Sequence, residues 1–195
     1  MSIPKIIHYC WFGGGPISPE NRKCMESWKK YCPDYKIMAW NEQNFDISTN
    51  RYAQQAYEAK RYAFVSDYVR LAVLYEYGGI YLDTDVELVR PLDELLEYKG
   101  FISMEHSAPS PYGRTLLVNT GSGVGAEPGC GMIGKMLAAY HNASFLQETG
   151  APDLRTCTQR DTPLFAKAGL QQKNEQQELD GFLVLPTDCF SPFDY

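Results

Sequence analysis

Two aspartates, Asp83 and Asp85, stand one residue apart in the segment YGGIYLDTDVEL, directly after an apolar run and a pair of glycines. If this segment is an extended strand, residues i and i+2 point to the same face, about 6 to 7 Å apart. Two carboxylates so placed repel each other unless a cation or a proton lies between them, and hard divalent cations prefer all-oxygen ligands. We therefore predict that Asp83 and Asp85 bind a divalent cation, which would bridge them to the phosphates of a substrate that carries them. A pair of solvated aspartates in a surface turn is the alternative.

Asp67 and Arg70 form a second candidate pair, three residues apart on a helix that is apolar on nearly every side. Their spacing places them on one helix face, and either charge would be costly to bury alone. A purely structural ion pair inside the protein explains these two residues as well as a role in substrate binding does. In the functional alternative, the guanidinium of Arg70 binds a phosphate or a sugar hydroxyl and Asp67 orients it.

Trp11 is the last residue but one of the apolar segment KIIHYCWF, which is followed by Gly13, Gly14 and Gly15. A tryptophan in such a segment is usually part of the core. Three glycines, however, let a ligand approach the backbone beside a flat aromatic ring. The sequence leaves both readings of Trp11 open.

The elements that would position these residues indicate an α/β fold. The pattern predicts a strand over KIIHYCWF, a helix that begins after Ser18 with Pro19 in its first turn and runs to about Tyr31, and a strand at YKIMAW. A helical stretch interrupted near Ser66 or Asp67 then runs from Arg51 to Tyr77, and IYLDTDVEL resumes as a strand. Further strands are predicted at GFISME and FLVLP, a short helix at PLDELLEY, a helix at MIGKMLAAYHNASFL and a loop at KNEQQEL. Residues 107 to 131 yield no clear element.

Composition limits the possible functions. The chain has 195 residues, a formal charge of −6 and a pI near 5.1, and these values disfavour a nucleic-acid-binding protein. No signal peptide, membrane-spanning run or paired Cys spacing is evident, so we expect one cytoplasmic domain over residues 1–195, with reduced thiols. Peripheral contact with the inner face of the membrane stays open. GSGVGA formally matches a dinucleotide fingerprint, but Glu127, Pro128 and Gly129 follow where the helix of that motif should begin.

The segments PKIIHYCWFGG and SDYVRLAVLYEYGGIYLDTDVE, with their spacing, resemble the DXD-containing glycosyltransferases of the sugar-binding-region family. This group includes capsular-polysaccharide and mannosyl transferases and, distantly, the catalytic domains of clostridial glucosylating toxins. The resemblance implies a GT-A-type fold with a mostly parallel sheet between helices and a nucleotide-sugar donor, with UDP-sugars favoured. It also implies a Mn²⁺ or Mg²⁺ ion, retention of anomeric configuration, and a glycan or lipid-linked acceptor in surface or capsular polysaccharide synthesis.

The resemblance also assigns roles to individual residues. Trp11 would stack on the nucleotide base, and the backbone at Cys10 and Phe12 would line that pocket. Asp67 and Arg70 would contact the donor sugar and its phosphate, and Tyr81 would pack near the diphosphate. Asp83 would meet the ribose and, through water, the ion, and Asp85 would ligate the ion directly. The family usually continues past a segment like CFSPFDY to an element that closes over the diphosphate, so we expect this chain to lack that closure.

Two alternatives belong to other functional classes. A phosphatase of the haloacid-dehalogenase type carries a similar Asp-x-Asp at a strand end, but normally at the start of the chain and with a later acidic pair. A non-catalytic nucleotide-sugar-binding module would keep the site without the chemistry. Binding of UDP-sugars with and without Mn²⁺ separates these classes.

Overall fold

A computed structural model describes residues 2–111 and 113–192 of the chain. The strands are β1 Ile6–Cys10, β2 Lys36–Trp40, β3 Gly79–Tyr81, β4 Gly100–His106, β5 Leu116–Ala126, β6 Gln177–Leu179 and β7 Phe182–Leu185. The α-helices are α1 Pro19–Tyr31, α2 Arg51–Glu58, α3 Tyr62–Tyr77, α4 Gly131–His141 and α5 Cys157–Lys167. Short 3₁₀ turns lie at Ile47–Thr49, Asp93–Leu95 and Thr187–Cys189.

The described strands form one mixed sheet in the order β2-β1-β3-β5-β4-β7-β6. The pairings β1–β2, β1–β3 and β4–β7 are parallel, while β3–β5, β4–β5 and β6–β7 are antiparallel. The predicted α/β class is therefore confirmed, but the parallel share of the sheet is smaller than expected. The reason is β5, which runs opposite to both of its neighbours and lies in the stretch where no element was predicted.

Side chains alternate between the two faces of the sheet, and each face has its own apolar cluster. On one face Tyr81, Ile102 and Val184 pack with residues of α2 to α5. On the other face Ile80 and Phe101 pack with Trp28 of α1 and with other residues of that cluster. This two-sided burial explains why the strands read as continuous apolar runs in the sequence.

The first helix matches its prediction because its signals are local. The hydroxyl of Ser18 accepts a hydrogen bond from the Asn21 amide, Pro19 occupies the first turn and the helix ends at Tyr31. Helix α5 was missed, although Thr156 and Gln159 form a capping box at its start. Its polar sequence and the internal Pro163 hide the helical pattern.

The stretch from Arg51 to Tyr77 is interrupted, but not at the predicted position. The break lies between α2 and α3, where Lys60 has a φ of 56° and the Arg61 amide donates to the Ala56 carbonyl at 2.8 Å. Ser66 and Asp67 remain helical because each finds a partner within α3: the Ser66 hydroxyl bonds the Tyr62 carbonyl at 3.1 Å and Asp67 pairs with Arg70.

The predicted strand IYLDTDVEL is wrong beyond its first part. Strand β3 ends at Tyr81, and the chain then turns, with the Val86 amide donating to the Asp83 carbonyl at 3.0 Å. The two aspartates therefore lie in a turn at a strand end, so the alternation of side chains along a strand does not set their directions. Contacts with β5, α1 and α3 hold this turn in place.

Candidate active site

The turn that carries Asp83 and Asp85 is held by β5 on one side and by α1 on the other. The Asp83 amide donates to the Gly121 carbonyl at 3.0 Å. Thr84, between the two aspartates, is buried and accepts a hydrogen bond from the Asn21 side chain at 2.7 Å. Thr84 is thus directed toward α1, whereas its two neighbours line the cleft.

Helix α1 also fixes the chain that follows the turn. The Trp28 indole donates to the Val86 carbonyl at 2.7 Å, and the Ser27 hydroxyl accepts from the Leu88 amide at 2.8 Å. Sequence reasoning missed these supporting contacts because they join residues about sixty positions apart in the chain.

The structure brings four of the predicted residues together: Asp67, Arg70, Tyr81 and Asp83. The terminal nitrogen Nη2 of Arg70 lies 3.2 Å from Asp67 Oδ1 and 3.4 Å from Asp83 Oδ1. The guanidinium carbon lies 4.7 Å from the centre of the Tyr81 ring, and the Tyr81 hydroxyl donates to Asp83 Oδ1 at 2.8 Å. One oxygen of Asp83 is thus engaged by Arg70 and Tyr81 together.

Further contacts bury the guanidinium of Arg70 almost completely. Its Nε donates to the Ser66 carbonyl and its Nη1 to the Thr120 hydroxyl, both at 3.1 Å. Burial alone would lower the pKa of Arg70, but Asp83, Tyr81 and Asp67 raise it well above its ordinary value. The internal ion pair with Asp67 is therefore present, and Arg70 is also directed at the metal-binding candidate.

The acidic groups respond to the same burial. It raises the pKa of Asp83, while Arg70 and Tyr81 act in the opposite direction. Burial also raises the pKa of Asp67, although the positive charge of Arg70 acts to lower it. The pKa of Tyr81 is raised well above its ordinary value by burial and by Asp83, so the phenol stays protonated and can donate to the carboxylate.

Asp83 and Asp85 both line a cavity of about 530 Å³. The side chain of Asp83 exposes 39% of its surface and Asp85 is exposed. The other described lining residues come from the segment after the turn, from β4 and β5, and from the chain after β7; they include Val86–Leu92, Glu94, Leu95, Glu105, Asn119, Gly121, Ser122 and Asp188–Pro192.

Gly121 is a residue that sequence reasoning missed at this site. A Cβ built on it would lie 2.4 Å from Asp83 Oδ2, 3.2 Å from Arg70 Nη1 and 3.2 Å from Asn119 Oδ1. The second oxygen of Asp83 therefore packs against the backbone of β5, where no side chain fits. Gly121 opens the GSGVGA segment, which forms the second half of β5 and not a dinucleotide-binding turn.

Trp11, Cys10 and Phe12 lie beside this group, at the end of β1. Strands β1 and β3 are parallel neighbours, so both end at the same edge of the sheet. Cys10 and Phe12 are buried, and burial raises the pKa of the Cys10 thiol to about 12. Trp11 is half-buried, donates its indole N–H to the Gly15 carbonyl at 2.7 Å, and is not among the described residues that line the cavity.

The three glycines after Trp11 do not play one common role. Gly13 has a φ of 87°, and a Cβ there would lie 2.3 Å from the Tyr62 ring, so this glycine serves close packing inside the protein. Gly14 and Gly15 face open space. Room for a ligand beside Trp11 is therefore found at the second and third glycines.

The two carboxylates fit a divalent cation that takes further ligands from its substrate. Within residues 2–111 and 113–192, no three His, Cys, Asp or Glu side chains converge as a ready metal cage. Exposed Asp85 and half-exposed Asp83 nevertheless offer oxygen ligands to the same cavity. Mg²⁺ and similar ions are commonly held by one or two carboxylates plus substrate phosphates and water.

Comparison with known proteins identifies relatives of this part of the chain. Residues 18–102 match the family described as "Glycosyltransferase sugar-binding region containing DXD motif". The chain is 34% identical over 116 residues to inositol phosphoceramide mannosyltransferase 3 of Schizosaccharomyces pombe, covering 52% of this chain and 29% of that protein. It is 31% identical over 111 residues to mannosyl phosphorylinositol ceramide synthase SUR1 of Saccharomyces cerevisiae, covering 51% of this chain and 27% of that one. The chain thus spans less than a third of the length of these relatives.

The fold is also found in a solved structure. The PaToxG glycosyltransferase superimposes with a TM-score of 0.57 at 22% identity, over 85% of this chain and 74% of that one. This likeness confirms the predicted GT-A-type fold. The segment from α1 to β4, which includes Asp67, Arg70, Tyr81, Asp83 and Asp85, matches the model of a glycosyltransferase sugar-binding region with a DXD motif, in agreement with the resemblance.

Proposed function

We propose that this chain is the catalytic part of a metal-dependent, retaining glycosyltransferase that moves a hexosyl group from a nucleotide-sugar to a glycan or lipid-linked acceptor. The observation that carries this proposal is the convergence of Arg70 and Tyr81 on Asp83, which lines the same cavity as Asp85. The buried guanidinium of Arg70 suits the diphosphate of such a substrate. The solvent-accessible carboxylates of Asp83 and Asp85 suit the divalent cation that the diphosphate brings.

In this proposal, Asp85 would hold Mn²⁺ or Mg²⁺ directly and Asp83 through water. A bound divalent ion supplies positive charge that stabilises the departing nucleoside diphosphate. Arg70 has its guanidinium fixed by Asp67, Ser66 and Thr120 before any substrate arrives, so it can add positive charge without reorganisation. Trp11 would carry the nucleotide base at the neighbouring strand end.

The proposal also specifies the nucleotide of the donor and the acceptor. UDP-sugars are the favoured donors, with surface or capsular polysaccharide as the product. The names of the two yeast relatives, however, specify mannosyl transfer to an inositol phosphoceramide, which makes GDP-mannose the second donor to test. No helix within the described parts of the chain is long and apolar enough to cross a membrane. Cytoplasmic location with peripheral membrane contact is part of the proposal.

Asp85→Asn is the sharpest test of this function. Because Asp85 is exposed, the variant should fold normally while losing the charge that holds the ion. We expect Mn²⁺ to increase the affinity of the wild-type protein for UDP-glucose or GDP-mannose, and this increase to fall by about tenfold or more in the variant. Isothermal titration calorimetry with and without Mn²⁺ measures both quantities.

Glu97→Gln is a matched control, since it removes one exposed carboxylate outside the cavity lining. Slow donor hydrolysis by the wild-type protein distinguishes an enzyme from a non-catalytic binding module. A phosphatase should ignore both nucleotide-sugars. The same Mn²⁺ dependence in Asp85→Asn and wild type would remove the metal site from the proposal.

A further inference from the structure

Glu105 and Asn119 form a side-chain pair on the cleft side of β4 and β5. Asn119 Nδ2 donates to Glu105 Oε2 at 2.5 Å, and Asn119 Oδ1 accepts from the Gly121 amide at 2.7 Å. An ionised carboxylate only accepts hydrogen bonds, so the amide nitrogen must face Glu105 and the amide oxygen must face Gly121. The orientation of Asn119 is thus fixed at both ends.

This pair lies next to Asp83 and Arg70. The Cβ position of Gly121 would be 2.4 Å from Asp83 Oδ2 and 3.2 Å from both Asn119 Oδ1 and Arg70 Nη1. Asn119 separates Glu105 from Asp83, and Glu105 lines the same cavity. It is therefore placed to contact a molecule that reaches from the aspartates along β4 and β5.

The hydrogen bond to Asn119 occupies one oxygen of Glu105 and leaves acceptor positions on the carboxylate. Described lining residues carry six carboxylates, at Asp83, Asp85, Glu87, Glu94, Glu105 and Asp188, and one guanidinium, at Arg90. A further phosphate would be repelled from this part of the cleft. A neutral group that donates hydrogen bonds would not be repelled, and the hydroxyl groups of a sugar are of this kind.

We propose that Glu105 is a sugar-binding residue of the cleft, which accepts a hydrogen bond from a sugar hydroxyl while Asn119 fixes its carboxylate. This inference rests on the proposed function. The hydroxyl could belong to the donor's hexosyl group or to the acceptor, because both must lie near Asp83 during transfer.

Glu105→Gln tests the proposal, because it keeps the size of the side chain and an oxygen for Asn119 but replaces the free acceptor with an amide donor. The probes are UDP, UDP-glucose, GDP and GDP-mannose, each titrated with Mn²⁺. If the hydroxyl is the donor's, the Kd of the nucleotide-sugar should rise about 10- to 100-fold while the Kd of the plain nucleotide stays the same.

If the hydroxyl is the acceptor's, donor binding and donor hydrolysis should be unchanged. The KM for transfer to methyl α-mannoside or to inositol phosphoceramide micelles should then rise by about tenfold or more. Glu97→Gln serves again as the control for loss of one carboxylate.

Three outcomes overturn the proposal. A variant that matches wild type within about twofold in donor Kd, donor hydrolysis and transfer would refute it alone and leave the proposed function standing. Equal weakening of nucleotide and nucleotide-sugar would assign Glu105 a merely structural role. A wild-type protein that binds none of the four probes would refute both the proposed function and this inference.

Discussion

Asp161 is a buried acid that the proposed chemistry does not use. It is 1% exposed, and neither carboxylate oxygen has a hydrogen-bond partner among the described residues. Burial, together with the nearby charge of Asp67, raises its pKa to about 7, against the effect of Arg70 and Arg160. Asp161 therefore holds its proton in the folded protein over a range of pH in which the unfolded chain has lost it.

This difference gives the sign of a pH effect on stability. Between about pH 4 and 7 the folded state binds more protons at Asp161, so the free energy of unfolding should fall as the pH rises through this window, by up to about 4 kcal/mol. Asp161→Asn imitates the protonated acid. We expect its advantage in stability over wild type to be larger at pH 8 than at pH 5, by about 2 to 3 kcal/mol, as measured by urea unfolding. A constant difference at both pH values would contradict the assignment.

His8 should have the opposite pH dependence. Its Nδ1 accepts from the Trp40 indole at 3.0 Å and its Nε2 faces the Gly78 carbonyl at 2.8 Å, which requires a neutral ring with the proton on Nε2. Burial lowers its pKa to about 4. The unfolded chain binds more protons between about pH 4 and 6.5, so acidification through this window should remove up to about 3 kcal/mol of stability.

An NMR titration of the His8 ring measures this pKa directly, with the exposed ring of His141 as the internal control. His8 should remain neutral at pH 5.5. A His8 pKa near 6.5 would show that the contacts with Trp40 and Gly78 do not hold the neutral form.

The residue types at the site were predictable to a useful degree, and their environment was not. Asp67, Arg70, Tyr81 and Asp83 do converge, as the resemblance to the DXD-containing family implied. Gly121 was missed because its role is to lack a side chain, and a missing side chain leaves no chemical signature in the sequence.

At the level of the elements, the connection between α2 and α3 contains one strained residue, Lys60. Lys60 occupies the left-handed region with a φ of 56°, and the amides of Lys60 and Arg61 close the end of α2 on the Tyr57 and Ala56 carbonyls. Glycine adopts this conformation without the clash of a Cβ. Lys60→Gly should therefore raise the free energy of unfolding by about 0.5 to 1 kcal/mol.

Urea unfolding measures the effect of Lys60→Gly. The matched control is Lys135→Gly, which makes the same exchange at an exposed position inside α4 and should instead cost about 1 kcal/mol. If both variants lose stability alike, Lys60 does not hold the left-handed conformation.

Elements defined by local signals were predicted well, and those defined by distant partners were not. Helix α1 has its own cap and first-turn proline, and β7 is a short apolar run between turns. Strand β5 contains Asn119, Thr120, three glycines and one serine, so its low strand propensity opposes its structure. Pairing with β3 and β4 overrides that propensity.

For the molecule as a whole, the two apolar clusters share one sheet, and we predict that residues 1–195 unfold as a single domain. Trp28 lies in the cluster on the α1 face and Trp40 in the cluster on the opposite face. Urea unfolding of Trp28→Phe and Trp40→Phe, each followed by fluorescence and by far-UV circular dichroism, should give coincident transitions within each variant.

Two separated transitions in either variant would show that the faces unfold independently. Wild-type protein, which retains both indoles, is the reference for the effect of each substitution on stability. Such a result would also limit the pH predictions above, because a single free energy of unfolding would no longer describe the protein.

The connection between β4 and β5 separates two halves of the cleft along the chain. Glu105 precedes it, together with both aspartates of the turn, and Asn119 and Gly121 follow it. A chain cut within this connection would yield two polypeptides, each with an incomplete cleft. Reassociation of β5 between β3 and β4 would rebuild it, so nucleotide-sugar binding could report fragment complementation in a split protein.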